Sequence, residues 1–338
     1  GRERPSGHLA RSEGGYGMSD MRTIKDMPTN DMFVSGHGAC AGCGMAVAVK
    51  NIMRILGADT TVYVPASCLV VISAMYPTSS FRTPYLFTAF ENTGAVTTGI
   101  RAAQRRRGLR STVVGLAGDG GTFDIGLQAL SGAAERNEDI LYVCLDNEGY
   151  MNTGIQRSGA TPFGAWTTTT PVGSKVEGKR EFKKDLMAII AAHDPPYAAS
   201  LSIAHFNDFI RKVEKAKSKK GFRFLHVMTP CVPGWRSDPS MTVEISRLAV
   251  ETGMWTLYEL EDGEARTTYR PQTMLPVTDY LKVQGRFRHM DNDDVAKLQE
   301  WLCRKWYLHY GGVEQPVCAN FEKVRPVRQP HEEQLHFI

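Results

Sequence analysis

The sequence predicts an α/β protein with a doubly wound, mostly parallel sheet and a C-terminal extension. Two observations support this fold class. Short, almost continuous apolar runs recur along the chain, and longer segments with helical spacing of apolar residues separate them. A parallel strand is buried on both faces, so it appears as a continuous apolar run. Strands that alternate with helices along the chain are typical of a parallel sheet covered by helices on both faces.

The individual elements follow from the same pattern. The apolar runs predict strands over residues 60–66, 113–117, 140–145 and 222–228. The helical spacing predicts helices over residues 44–56, 92–107, 125–136 and 206–219. After residue 235 the pattern changes to a helix and a strand within 245–260 and a late helix over 290–310. We therefore divide the chain into a partly disordered tail over residues 1–32, a core domain over 33–235 and an extension over 236–338.

Composition limits the possible partners and locations. The chain has 338 residues, of which 42% are hydrophobic, so it can bury a substantial core. No apolar run is as long as a membrane span, and residues 1–17 have no targeting character. The net charge of +4 comes from basic residues that are spread along the chain. We therefore expect a cytoplasmic protein that binds neither nucleic acid nor membrane.

Two polar turns follow two of the predicted strands. The first turn holds Gly118, Asp119, Gly120 and Gly121, and the second begins at Asn147. Ligands of open α/β sheets bind at the carboxyl ends of the parallel strands, where both turns lie. A carboxylate, an amide oxygen and a free main-chain carbonyl suit Mg²⁺, which takes few protein ligands and adds phosphate oxygens. A plain dinucleotide-type turn would explain the glycines but not the second polar turn.

The paired turns resemble the thiamin diphosphate motif. That resemblance implies that Asp119 binds a magnesium ion through its carboxylate. It also implies a second ligand oxygen from the Asn147 side chain and a third from the main-chain carbonyl of Gly149. Main-chain amides of the turn from Gly118 to Gly121 can assist in holding the diphosphate at the same place.

Four cysteines share a context at strand ends or in Gly/Pro-rich loops. They are Cys40, Cys43, Cys68 and Cys231. Four converging thiolates can bind zinc or a [4Fe–4S] cluster, and their sequence spacing does not separate the two. Disulfides among them are less favoured, because the chain has no signal peptide. Of the other cysteines, Cys144 is expected to be a buried apolar residue of a strand, and neither Cys303 nor Cys318 receives a role.

With the cysteines included, the chain resembles the β subunit of the 2-oxoacid:ferredoxin oxidoreductases, the pyruvate:ferredoxin oxidoreductase family. The resemblance covers roughly residues 33–307. It rests on HGACAGCG, the single Cys68, AFENTGA, GDGGTFDIG with DNEGYMNTG, PFGAWTTTTPVG, TPCVPGW and YLKVQGRFRH, in that order.

The resemblance assigns roles to further residues. It implies that the four cysteines bind a [4Fe–4S] cluster next to the cofactor, which would give the electrons of a thiamin diphosphate reaction an outlet. It also implies that Asn152 faces the substrate and the thiazolium side of the cofactor. His37 could donate a hydrogen bond to a cluster sulfur or to a phosphate, or it could only structure its loop.

The activity implied by the resemblance is the oxidative decarboxylation of a 2-oxoacid. Coenzyme A would take the acyl group and ferredoxin the electrons, and pyruvate is the favoured substrate on family frequency. An aryl or branched 2-oxoacid, 2-oxoglutarate and oxalate stay open. Two other classes also stay open: a non-redox decarboxylase or carboligase with a structural zinc, and a non-catalytic zinc-bearing scaffold.

A catalytic group is missing from this chain. Thiamin diphosphate enzymes need a glutamate that hydrogen-bonds the aminopyrimidine ring, and it belongs to a second domain. We therefore expect an α subunit to supply it. Glu91 is a possible candidate, but capping of the helix that follows is the favoured role. The resemblance also implies γ and ferredoxin-like δ subunits, because no ferredoxin-type cluster motif occurs here.

Overall fold

The computed structural model describes residues 23–75, 78–310 and 315–319. The disorder predicted for the first residues of the N-terminal tail falls on positions outside this range. No helix within the described residues is both long enough and apolar enough to cross a bilayer.

The strands and helices alternate along most of the chain. The strands are β1 Thr60–Pro65, β2 Ala74–Met75, β3 Thr78–Ser79, β4 Tyr85–Thr88, β5 Thr112–Gly118, β6 Leu141–Asp146, β7 Val172–Gly173, β8 Val176–Glu177, β9 Tyr197–Ser202, β10 Arg223–Met228, β11 Leu257–Glu261 and β12 Glu264–Tyr269. The α-helices are α1 Gly44–Leu56, α2 Cys68–Ser73, α3 Thr93–Arg106, α4 Leu127–Glu135, α5 Leu186–Ala191, α6 Phe206–Ser218, α7 Val232–Trp235, α8 Thr242–Glu251, α9 Val277–Leu281 and α10 Asn292–Tyr310. Short 3₁₀ turns span Ile24–Asp26, Pro239–Met241, Gly285–Phe287 and Pro316–Cys318, and a π-helical turn spans Gly120–Ile125.

One large sheet organises the molecule. Its eight strands lie in the order β12-β11-β9-β10-β6-β5-β1-β4. The pairs from β9 to β4 are all parallel, whereas β11 runs antiparallel to β9 and β12 antiparallel to β11. The predicted fold class, a mostly parallel α/β sheet, is therefore confirmed.

Helices cover both faces of the sheet. Alternate residues of β6 belong to different cores: Val143 packs in the cluster with helices α1 and α6, and its neighbour Tyr142 packs in the cluster with helices α4 and α5. Strand residues that face helices on both sides account for the continuous apolar runs in the sequence. This is the doubly wound arrangement that the sequence predicted.

The chain after residue 236 adds to this sheet and builds a further core. Strands β11 and β12 extend the sheet at one edge, and helices α8, α9 and α10 surround a third apolar cluster that contains Trp235, Trp255 and Trp306. A disulfide joins Cys303 of α10 to Cys318 in the turn that follows. The sequence offered no partner for either of these cysteines.

Several elements of the structure differ from the sequence-based elements, and three of these differences concern the large sheet and the turn after β5. Strands β4 and β9 were not predicted: β4 is a short, exposed edge strand, and β9 contains alanine and serine, which have low strand propensity. Helix α4 begins at Leu127 rather than at residue 125, because the chain first makes the π-helical turn. That turn brings the carbonyl oxygen of Gly121 to within 2.0 Å of the position that a Cβ at Gly126 would occupy.

Candidate functional site

Asp119 lies directly after β5, at the start of the π-helical turn. Its side chain is buried, with only 1% of the residue exposed. Oδ2 accepts a hydrogen bond from the Ser158 hydroxyl at 2.5 Å, and Oδ1 accepts one from the backbone N–H of Asn147 at 3.3 Å. The carboxyl ends of β5 and β6 therefore bring the two predicted metal ligands into contact.

The side-chain amide of Asn147 completes a small group of polar atoms. One of its terminal atoms lies 2.8 Å from the carbonyl oxygen of Gly149 and 3.0 Å from Oδ1 of Asp119. When that atom is the amide nitrogen, it donates to both oxygens. When the amide turns its oxygen to the same place, three oxygens converge, which is favourable only around a cation. The three predicted magnesium ligands thus form a set whose chemistry fits Mg²⁺.

The buried carboxyl group of Asp119 also favours a cation at this point. Burial raises the pKa of Asp119 well above its usual value, and the nearby Asp146 carboxylate raises it further. Hydrogen bonds from Ser158 and Asn147 and the charge of Lys183 only partly offset these effects. A divalent cation at these oxygens would stabilise the ionised carboxylate.

Asp146, the last residue of β6, lies beneath the second polar turn. Its Oδ2 lies 2.6 Å from Lys183 Nζ and 2.8 Å from His226 Nε2. Burial opposes ionisation of Asp146, but Lys183 and His226 outweigh it and lower its pKa to about 2. The turn that carries Asn147 and Gly149 therefore rests on a buried, ionised carboxylate.

Two of the three glycines in the first turn, Gly120 and Gly121, lie close to neighbouring atoms. A Cβ at Gly120 would lie 2.3 Å from the Tyr150 ring, and one at Gly121 would lie 3.1 Å from the carbonyl oxygen of Phe90. By contrast, a Cβ at Gly118 would meet nothing within 4 Å. The small size of Gly120 is thus required by Tyr150, whose hydroxyl donates to Asp124 at 2.8 Å.

Backbone hydrogen bonds join the three segments that carry Cys40, Cys43, Cys68 and Cys231. The N–H of Gly38 donates to Ile72 of α2, the helix that begins at Cys68. The N–H of Gly44, next to Cys43, donates at 3.1 Å to the carbonyl oxygen of Pro230, next to Cys231. A Cβ at Gly44 would lie only 2.7 Å from the Pro230 nitrogen, so glycine is required for this close approach.

The four thiols influence one another electrostatically. Burial, together with a smaller effect of nearby cysteines, raises the pKa of Cys68 to about 11 and that of Cys231 to about 12. None of the four forms a disulfide. Across residues 23–75, 78–310 and 315–319, however, no group of three or more Cys, His, Asp or Glu side chains is arranged to hold a metal ion. The thiols are neighbours, and their role as ligands stays a prediction.

Asn152 connects the cysteines to the metal turn. Its backbone hydrogen-bonds to the Cys68 sulfur, and the charge of Asp119 also acts on that thiol. The Asn152 side chain is exposed. Met151, the preceding residue, reaches the turn of Cys231, where a Cβ at Gly234 would meet its sulfur at 2.1 Å. The predicted thiazolium-side residue therefore lies between the two predicted metal centres.

Two other candidates have local roles. His37 stacks on Phe33 with ring centroids 5.0 Å apart, and its Nδ1 accepts a hydrogen bond from the N–H of Ala39 at 3.4 Å. These contacts order its loop. Glu91 is exposed and does not cap helix α3, because the cap position belongs to Asn92 and no side chain bonds there. The helix-capping role expected for Glu91 is therefore wrong.

The sequence reasoning missed several residues that support the site. Ser158 bonds to Asp119, Glu148 lies between two predicted metal ligands, and Arg286 pairs with Glu148 at 2.6 Å. Arg286 belongs to the YLKVQGRFRH segment, whose presence was noted without a role. The burial of Arg286, which is 1% exposed, becomes visible only in the folded chain.

Cys303 and Cys318, in contrast, pair with each other in a disulfide. Cys144 is fully buried in β6, as its sequence context predicted.

Comparison with known proteins identifies the family. Residues 66–227 match the model of the thiamine pyrophosphate enzyme C-terminal TPP binding domain. Pyruvate synthase subunit PorB of Methanocaldococcus jannaschii is 48% identical, with 84% of this chain and 98% of the relative covered. Ketoisovalerate oxidoreductase subunit VorB of Pyrococcus abyssi is 42% identical, with 85% of this chain and 95% of the relative covered.

A solved structure shares the fold. A 2-oxoglutarate:ferredoxin oxidoreductase from Magnetococcus marinus superposes with a TM-score of 0.53 at 21% identity, covering 83% of this chain and 97% of the other. At that identity the match concerns the fold alone. The pyruvate synthase and ketoisovalerate oxidoreductase subunits align with this chain over almost their whole length. The chain therefore belongs to the family of 2-oxoacid:ferredoxin oxidoreductase β subunits.

Proposed function

We propose that this chain provides the Mg²⁺–diphosphate site and the proximal [4Fe–4S] cluster of a cytoplasmic enzyme that oxidatively decarboxylates pyruvate. The products would be acetyl-CoA and CO₂, with the electrons passed by way of the cluster to ferredoxin. The observation that carries the proposal is the convergence of Asp119, Asn147 and the Gly149 carbonyl beside four free cysteines.

The donor set supports Mg²⁺ at the first turn. Asp119 offers a carboxylate, Asn147 an amide oxygen and Gly149 a carbonyl oxygen, all of them hard ligands. Three protein ligands leave octahedral positions for diphosphate oxygens. The π-helical turn begins at Gly120, just after the carboxyl end of β5, and its main-chain amides would help to bind the anion.

The cofactors would supply the chemistry that side chains lack. When bound, thiamin diphosphate supplies the nucleophile for the 2-oxoacid carbonyl and the sink for the electron pair that CO₂ leaves, and the cluster supplies a one-electron carrier. The chain's own residues hold these groups in place. Asn152 would contact the substrate beside the thiazolium ring, and its backbone bond to Cys68 would keep that contact next to the cluster.

A [4Fe–4S] cluster is the favoured occupant of the cysteine group. Cys40, Cys43, Cys68 and Cys231 supply the four thiolates that such a cluster needs, and backbone hydrogen bonds join their segments. The raised pKa values of Cys43, Cys68 and Cys231 describe free thiols. A bound metal would stabilise the thiolates and reverse that effect.

The identities of the relatives favour pyruvate as the substrate. Two archaeal pyruvate synthase subunits are 48% and 49% identical to this chain, and two ketoisovalerate oxidoreductase subunits are 42% and 43% identical. A branched 2-oxoacid such as ketoisovalerate is therefore the second candidate. An α subunit would supply the aminopyrimidine glutamate, because that residue belongs to a second, pyrimidine-binding domain and this chain builds one large sheet. We also assign γ and ferredoxin-like δ partners to the assembly.

The experiment compares Asp119→Asn with wild type in the enzyme purified anaerobically together with its partner subunits. We expect the variant to lose pyruvate-dependent reduction of a viologen dye by at least 100-fold, because the amide cannot supply the anionic metal ligand. Its iron content should remain that of wild type. Asp139→Asn is the matched control, since Asp139 pairs with Arg223 at the opposite ends of the strands.

Three outcomes would contradict the proposal. Equal dye reduction by wild type and Asp119→Asn would remove the magnesium role of that residue. Zinc in place of iron, with CO₂ release but no dye reduction, would favour a non-redox decarboxylase. A wild-type assembly with neither activity would favour a scaffold.

A further inference from the structure

We infer that Glu148 and Arg286 are positioning residues that set the affinity of the magnesium site, although neither is a metal ligand. The inference rests on the proposed function, because it presupposes a metal at Asn147 and Gly149. It adds the C-terminal part of the chain, which carries Arg286, to the determinants of that site.

Glu148 lies between the two second-turn ligands, and all its polar groups are held. Its backbone N–H donates to Asp146 Oδ1 at 2.9 Å, and its carbonyl oxygen accepts from the Thr161 hydroxyl at 2.7 Å. Its carboxylate accepts from Lys183 Nζ at 3.3 Å and from Arg286 Nη2 at 2.6 Å. Glu148 is only 2% exposed, so these contacts replace water.

The backbone of Glu148 has a conformation that needs such support. Its φ angle is +66°, in the left-handed region that residues with a Cβ seldom adopt. This conformation reverses the chain between Asn147 and Gly149. The reversal places the carbonyl oxygen of Gly149 2.8 Å from a terminal atom of the Asn147 amide, and the same atom lies 3.0 Å from Oδ1 of Asp119. Loss of the side-chain contacts would let the turn relax to a commoner conformation and separate the ligands.

Arg286 extends the support to the cysteine side. It is 1% exposed, and its guanidinium lies 3.9 Å from the centre of the Trp235 ring while it pairs with Glu148. Trp235 in turn donates from its indole nitrogen to the carbonyl oxygen of Asn147 at 2.8 Å, and its backbone N–H donates to the carbonyl oxygen of Cys231. Arg286 therefore contacts the metal turn through both Glu148 and Trp235.

The test is the affinity of the assembled enzyme for Mn²⁺ in the presence of thiamin diphosphate, measured from the electron paramagnetic resonance signal of free Mn²⁺. Glu148→Gln keeps the side-chain shape but loses the charge. Arg286→Lys keeps the charge but loses the planar group that reaches Glu148 and stacks on Trp235. We expect each variant to bind Mn²⁺ at least 10-fold more weakly than wild type, as is typical when partners of metal ligands are removed.

Arg223→Lys is the matched control. Arg223 is equally buried, at 3% exposed, and pairs with Asp139 at the first residue of β10, the end of the strand away from the site. It should lower the unfolding temperature as much as Arg286→Lys does and leave Mn²⁺ affinity within twofold of wild type. The double variant Glu148→Gln with Arg286→Lys should lose less Mn²⁺ affinity than the two single losses combined, because both substitutions break the same ion pair.

The outcomes separate the inference from the proposed function. If wild type does not bind Mn²⁺ stoichiometrically, the magnesium site itself is wrong. If wild type binds Mn²⁺ and both variants bind it within twofold of wild type, the positioning role is wrong and the metal site stands. If Glu148→Gln does not assemble, Arg286→Lys decides alone by the same criterion.

Discussion

The indole nitrogen of Trp235 donates a 2.8 Å hydrogen bond to the carbonyl oxygen of Asn147. Trp235 closes the short helix that follows Cys231, and Asn147 opens the turn with the predicted magnesium ligands. One buried contact thus joins the segment of a predicted cluster ligand to that of a predicted metal ligand. The two predicted centres therefore share a buried support.

Removal of this contact should destabilise the protein. Trp235→Phe keeps an aromatic ring beneath Arg286 but leaves the Asn147 carbonyl without its donor in a buried position. We expect the free energy of unfolding to fall by about 1–3 kcal/mol. Chemical denaturation followed by circular dichroism would measure this. A change below 0.5 kcal/mol, within the usual range of neutral surface substitutions of roughly ±0.5 kcal/mol, would contradict it.

Replacement of Cys68 should remove the iron. Cys68→Ala takes one of the four proposed ligands away at the start of α2, and we expect iron to fall from about four per chain to below one. Cys144→Ala is the matched control, because Cys144 is a fully buried residue of β6 and pairs with no other cysteine. Iron analysis of the two variants, purified anaerobically, gives the answer. Equal iron in both would exclude Cys68 as a ligand.

Two glycines that are close in sequence should respond oppositely to alanine. A Cβ at Gly126 would lie 2.0 Å from the carbonyl oxygen of Gly121 and 2.8 Å from that of Glu91, so backbone would have to move. Gly126→Ala should cost about 3 kcal/mol of stability. In α4 a Cβ at Gly132 would meet only the flexible end of Arg136 at 3.1 Å. Gly132→Ala should gain about 0.5–1 kcal/mol. Denaturation midpoints measure both changes, and equal effects would refute the packing argument.

His205 should make stability depend on pH in mildly acidic solution. The pKa of His205 is lowered to about 4, mainly by burial; Asp208 opposes this effect, and Arg247 and Lys212 add to it. Its Nδ1 is buried without a hydrogen-bond partner. The folded state therefore keeps the ring neutral, whereas the unfolded chain takes up a proton near pH 6.5. The stability that depends on the neutral His205 ring should be fully present above pH 6.5, and it should be lost progressively as the pH drops from 6.5 toward 4.

The variant His205→Phe isolates this contribution. Its ring does not titrate, so its loss of stability between pH 6.5 and pH 4 should be smaller than that of wild type by about 2 kcal/mol, after allowance for the partly exposed ring. Denaturation at several pH values would show the difference. Parallel curves for wild type and variant would mean that His205 titrates normally in the folded protein.

Much of the fold was predictable because local patterns determine it. Helix α1 has the predicted bounds, since its apolar residues repeat at helical spacing. The position of Asp119 and Asn147 was also predictable, because parallel strands bring their carboxyl ends to one edge. Strand β9 escaped prediction, because alanine and serine give it little strand character and its burial comes from neighbours distant in sequence.

The supporting residues could not be predicted for a related reason. Glu148 and Arg286 are 138 positions apart, and no local pattern connects them. The same holds for Ser158 and Asp119, which are 39 positions apart. A family resemblance names the groups that contact cofactor, whereas the residues that hold those groups in place become visible only once the chain is folded. The disulfide between Cys303 and Cys318 likewise depends on how the end of α10 packs.

The central claim is that Cys40, Cys43, Cys68 and Cys231 serve redox chemistry beside a thiamin diphosphate site. The most direct test is the iron, acid-labile sulfide and zinc content of the anaerobically purified wild-type assembly, corrected for the clusters of any partner subunit by comparison with Cys68→Ala. We expect the wild-type assembly to contain about four irons and four sulfides per chain more than Cys68→Ala. If wild type instead contains one zinc more than the variant and no additional sulfide, the redox function is contradicted and a non-redox enzyme with a structural zinc remains.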